Sequence, residues 1–84
     1  MAKLTTEYTL NTVTWTQIAT STQKFLAEVA TSNGQAHIAY SSAAPTVSAG
    51  HALDPGDTFG DDSNDENVWA IAKTGSALLI VTTQ

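Results

Sequence analysis

Cysteine and arginine are both absent from this 84-residue chain, and proline occurs only twice. Each gap removes a class of protein. Without thiols there is no disulfide framework, no thiolate nucleophile and no cysteine-based zinc site. Three lysines stand against eight acids, a net charge of −5. That leaves no clustered cations for a phosphate backbone and sets nucleic acid aside as a partner. Charged residues make up 13 per cent of the chain, well below the usual ~25 per cent. No apolar run approaches the ~18 residues of a membrane span, and MAKLTTEYTL has no apolar signal-peptide core. The expectation is a protein made soluble and unexported, with no membrane partner.

What the chain does have is short apolar stretches separated by turn chemistry. Residues 1–84 make one domain, and a chain of this size buries only about 60 to 65 per cent of the surface its unfolded form exposes. Backbone ordering costs roughly 1 to 2 kcal/mol per residue, so small folds commonly need a staple. With cysteine missing, oligomerisation is the staple that remains.

The strongest pattern is NVWAIAKTGSALLIVTT, Asn67 to Thr83. Two apolar runs flank Lys73, Thr74, Gly75 and Ser76, and Gly75 can supply the positive φ of a tight reversal. This predicts a C-terminal β-hairpin. One face would carry Trp69, Ile71, Leu78 and Ile80 as core. The other would carry Ala70, Ala72, Ala77 and Leu79, buried against an opposite sheet or across subunits as an interface. Upstream, Leu4, Tyr8 and Leu10 share one parity, so residues 1–11 read as an extended arm or an edge strand. Val13 and Trp15 alternate with threonines and are expected in the core. Ile18 then falls on the wrong parity, which requires a bulge near Thr16 and Gln17.

Residues 21–31 fit either a helix or a strand. Strand is favoured because Asn33-Gly34 and a second apolar segment follow at once, giving Phe25, Ala27 and Val29 inside and Ile38 and Tyr40 on the partner. Pro45 marks a loop, His51–Leu53 a short strand, and Pro55-Gly56 a type II turn after which Phe59 tucks onto the core. The sum is an all-β domain: a small antiparallel β-sandwich or barrel of about seven to eight short strands.

In this order, VTWTQIA, KFLAEVATSNGQAHIAYS, SAAPTVSAG, LDPGDTF and NVWAIAKTGSALLIVT, the chain resembles the small virion structural proteins of tailed bacteriophages. These include capsid decoration or cement proteins and head or tail accessory modules. The similarity runs from about Thr12 to Thr83, and its most specific part is the VWAIA-turn-ALLIV ending. The acidic DDSNDE run departs from the pattern. The resemblance implies no enzymatic activity, no cofactor and a homo-oligomer, often a trimer. It also implies seating on a major capsid protein or another virion shell protein, so that the chain is made in the bacterial host cytoplasm and ends in the virion.

Other chemistry is weaker. Asp54, Asp57, Asp61, Asp62, Asp65 and Glu66 gather six of the eight acids, and oxygen-rich loops can bind calcium. Counted from Asp61, however, an EF-hand would have Glu66 where glycine belongs and Ala72 where the bidentate glutamate belongs. His37 and His51 lie far apart with no metal-ligand spacing, so no metal is expected. No G-x-S-x-G accompanies the many hydroxyls. Trp15, Trp69, Tyr8 and Tyr40 leave open a carbohydrate-binding module that stacks sugars on exposed aromatics.

Overall fold

The computed structural model describes residues 3–30, 34–46, 50–61 and 66–84. It contains eight strands and, among the described residues, no helix: β1 Leu4–Leu10, β2 Thr16–Ala19, β3 Phe25–Val29, β4 Ala36–Tyr40, β5 His51–Leu53, β6 Thr58–Asp61, β7 Val68–Ala72 and β8 Ala77–Thr83. They form two antiparallel four-stranded sheets, ordered β1-β8-β3-β6 (sheet A) and β2-β7-β4-β5 (sheet B). The all-β two-layer expectation is met, and residues 25–29 are strand.

The predicted hairpins are not hairpins. β7 lies in sheet B and β8 in sheet A, and β3 and β4 are likewise divided between the sheets. Every connection except β4–β5 crosses from one sheet to the other. Each predicted turn is therefore an arch whose two strands meet through side chains instead of a hydrogen-bonded ladder.

The two arches lie side by side. The Lys73 amide donates to the Gln35 carbonyl at 2.9 Å, and the Gly34 amide donates to the Ser76 carbonyl at 3.3 Å. A Cβ on Gly34 would sit 3.2 Å from the Thr74 carbonyl oxygen, a tight approach that glycine leaves unstrained. Gly75 does take φ +59°, and Gly56 takes φ 91° beside the Asp57-to-Asp54 turn bond of 2.9 Å. Both match their predicted turn chemistry. Asn33 lies outside the described residues.

Arching also decides which face is inside. The buried cluster contains Ala70, Ala72, Ala77 and Leu79 together with Ala27, Ala36, Val29, Ile38, Val68 and Val81. The four residues predicted as an interface are thus covered by the opposite sheet of the same chain, and no surface is left there for a subunit. Conversely, Trp69, Leu78 and Ile80, predicted as core, lie half-buried on the outer faces, and Ile71 is buried outside the main cluster. The inversion has a steric reason: small methyl-bearing residues let two sheets close on a short chain, whereas the bulky set would hold them apart.

Phe25 and Ile38 are in the core as expected, while Tyr40, at a strand end, is 37 per cent exposed. Val13 is 85 per cent exposed and Trp15 half-buried, because residues 11–15 form a loop in place of the predicted strand. The Asn11 side-chain oxygen accepts from the Val13 and Thr14 amides at 2.9 and 2.7 Å, offering the backbone a turn in place of a ladder. The expected bulge is present, with the β2–β7 register shifting between Gln17 and Ala19. It brings Ile18 and Ala19 both into the core.

Leu79→Ala should cost about 2 to 5 kcal/mol of unfolding free energy, by loss of transfer energy plus a cavity. Val13→Ala should stay within about 0.5 kcal/mol. Urea denaturation of both variants checks the assignment of faces, and equal losses would overturn it.

Candidate functional site

Three features outside the main core gather polar or aromatic side chains. The first is on the outer side of β4. His37 lies between Ile71 of β7 and Ala52 of β5, yet is only 5 per cent exposed. Its Nδ1 accepts the Gly50 amide at 3.0 Å, so the proton of the neutral ring resides on Nε2. That Nε2 is buried and has no hydrogen-bond partner among the described residues. Gly50 reaches the ring because it has no side chain: a Cβ would stand 2.3 Å from the Ile38 carbonyl oxygen. Burial, and secondarily the positive charge of Lys73, push the His37 pKa below its ordinary value.

The second feature is an aromatic cluster where the β5 edge of sheet B meets the β6 edge of sheet A. Phe59 packs between Phe25 (centroids 5.9 Å), Tyr40 (6.3 Å, edge-on) and His51 (6.0 Å, stacked). The Tyr40 hydroxyl donates to Asp61 Oδ2 at 2.8 Å. Tyr40, His51, Phe59 and Asp61 line a shallow groove of about 700 Å³.

The third is a hub at Asn67. Its side-chain oxygen accepts the Ser21 amide at 3.0 Å, its side-chain nitrogen donates to the Ser42 carbonyl at 3.2 Å, and its carbonyl accepts the Ser41 amide at 2.9 Å. Trp69 Nε1 donates to the Ser41 carbonyl at 2.9 Å, so this indole is held by the same loop.

The aromatic row expected of a sugar binder is not assembled. Tyr8 packs against the interior from sheet A, Trp69 lies on the outside of sheet B, Trp15 is in the 11–15 loop and Tyr40 is at the groove. Nor do the acids converge. Asp62 and Asp65 lie outside the described residues, and among the described ones no group of three His, Asp or Glu side chains could hold a metal ion. Asp54 Oδ1 accepts Gln35 Nε2 at 2.7 Å, Asp57 Oδ2 accepts the Asp54 amide at 3.0 Å, and Glu66 Oε1 accepts the Asn67 amide at 2.9 Å. The acids therefore tie turns together. Sequence reasoning missed the His37–Gly50 contact and the Asn67 hub, whose only signals were single polar residues beside apolar runs.

No protein-family model, curated protein or solved structure matches the chain.

His37 yields a pH prediction. A depressed folded-state pKa means the unfolded chain takes up a proton near pH ~6.5 that the folded chain refuses. The associated stability is present above that pH and is lost as pH falls through the folded-state value. Lowering pH from about 7.5 to about 5.5 should therefore reduce the urea midpoint of the wild type more than that of His37→Gln. Equal losses would show that His37 titrates alike in both states.

Proposed function

We propose that this chain is a non-enzymatic virion structural protein, a capsid decoration or cement protein that seats on the assembled shell as a homo-oligomer. Two things support this reading: the resemblance of its strand order to such proteins, and one surface. The observation that carries it is the outer face of sheet A.

There Leu26 is 56 per cent exposed, Leu78 and Ile80 are half-exposed, and Thr5, Thr9, Thr58 and Thr82 surround them. The charges placed on this face within the strands are Glu7 and Glu28, which flank Ile80 in register. Such a face gains by exclusion of water from its leucines and isoleucine, and its hydroxyls keep hydrogen-bonding when covered. Binding to an assembled shell and not to its free subunits stabilises the shell by mass action, with no reaction needed. A tail or fibre accessory module would use the same face.

A second reading, carbohydrate binding, draws on the Tyr40–His51–Phe59 groove, where an exposed ring edge adjoins the Asp61 carboxylate. Proton-detected NMR with added oligosaccharides would shift the Tyr40 and Phe59 ring signals if that reading holds.

The cement reading is tested by mass spectrometry of particles purified from the lysed host, with the chain expected in fixed ratio to the main shell protein. Re-addition of purified protein to particles stripped of it should restore heat resistance, and Leu26→Glu or Ile80→Lys should abolish the restoration. Particles lacking the chain would overturn the reading.

A further inference from the structure

The hydrogen-bond parity of sheet A fixes what β1 presents to solvent. The Ala30 amide donates to the Leu78 carbonyl, and Lys24 and Gln84 exchange both backbone bonds at 3.3 and 3.0 Å. In an antiparallel ladder each residue's N–H and C=O point to the same neighbour, in alternation along the strand. Leu78, Ile80, Thr82 and Gln84 therefore bond toward β3, and Ala77, Leu79, Val81 and Thr83 bond toward β1. Their register partners are Leu10, Tyr8, Thr6 and Leu4. It follows that the backbone groups of Thr5, Glu7 and Thr9 point away from the sheet, and no described residue bonds to them.

The other edges are blunted. β2 has four residues and a bulge, β5 has three residues, and β6 has four including Gly60. β1 has seven residues in unbroken register, with neither proline nor bulge. A long, regular, open edge is a template for another strand.

We propose that β1 pairs antiparallel with β1 of a second copy about a two-fold axis, joining the two A sheets into one eight-stranded sheet. This rests on the reading that the chain associates, and gives that association a surface. Charge selects the register. Centring the axis on Glu7 places two glutamates directly opposite, which is unfavourable between strands. Centring it on Thr5 places Lys3 opposite Glu7 of the second copy, twice by symmetry, with Thr5 opposite Thr5. Lys3, Thr5 and Glu7 share the outer parity, so both ion pairs form on the same side of the joined sheet as Leu26 and Ile80. Two copies then present one continuous apolar and threonine-lined platform. The assembly is a two-fold pair, in place of the trimer that the resemblance implies.

Sedimentation equilibrium of the intact chain should show a dimer at micromolar concentration. Thr5→Pro removes an outward amide and the Thr5–Thr82 hydroxyl bond of 2.9 Å while leaving every backbone bond to β8, and should yield a folded monomer with an unchanged circular dichroism spectrum. Lys3→Glu and Glu7→Lys should each weaken the dimer roughly tenfold by facing like charges twice. The double variant Lys3→Glu/Glu7→Lys should restore it, which tests the pairing even if Thr5→Pro does not fold. A wild-type monomer would overturn both the association reading and the edge. A dimer or trimer insensitive to all these changes would overturn the edge and leave association standing on a different surface. Single variants unrescued by the double would overturn the register.

Discussion

Two four-stranded sheets can cover each other in so short a chain only if their backbones come close, and the side chains between them are chosen for that. Ala27, Ala36, Ala70, Ala72 and Ala77 are buried in one cluster with Ile38, Val68, Leu79 and Val81, so both sheets contribute small and bulky side chains to the layer between them. The Cα envelope is 16 Å in its shortest direction, two layers deep. No disulfide assists this layer. Enlarging an alanine here would force the sheets apart, since a close-packed interior accommodates added methylenes poorly. The outward placement of Trp69, Leu78 and Ile80 follows from the same limit. Residues too large for a thin interior go to the outer faces, where they define the surfaces available to other molecules.

Crossing connections reinforce this dependence. A hairpin contributes ladder bonds between neighbours in sequence, but an arch contributes none. Apart from β4 and β5, consecutive strands here lie in opposite sheets, and their hydrogen bonds are made with strands that do not follow them in sequence. The lateral contacts between the Gly34 and Gly75 arches replace the local bonds that hairpins would have made. Without them the arch amides at one end of the sandwich would lose two of their backbone partners.

Strand positions were largely legible because alternation is local. Phe25, Ala27 and Val29 are buried and Leu26 and Glu28 exposed, as period two requires. The Pro55-Gly56 turn and the bulge after Gln17 were equally legible, each resting on a backbone rule that needs no distant partner. Pairing was not. Positive φ at Gly75 serves an arch as readily as a hairpin, and nothing between Ala72 and Ala77 says whether the chain turns within a sheet or across to another. The inside face of β8 was ambiguous because both its parities are apolar, and only the opposing sheet decides between them. Val13 was misread because the Asn11 side chain, outside the alternating run, captures two amides. His37 was unreadable as a buried residue because its burial depends on Gly50, thirteen positions away. β1 was legible as an edge strand or an arm, but the direction of its free amides follows from the β3–β8 register, which no residue of β1 encodes.

The placement of β8 matters to how the protein is made. This strand is the last of the eight in sequence, yet it runs through the middle of sheet A, between β1 and β3. A ribosome delivers β1 before the other strands, and β1 then waits for a partner that emerges only after β2 to β7. Loop closure over that span is the slow, entropically costly event in assembling the sandwich. Nascent chains interrupted before Ala77 would expose two strands that share no bond and an interior missing Leu79 and Val81. The eighth strand is thereby the piece on which the whole of sheet A closes, and that sheet is not cohesive until it arrives.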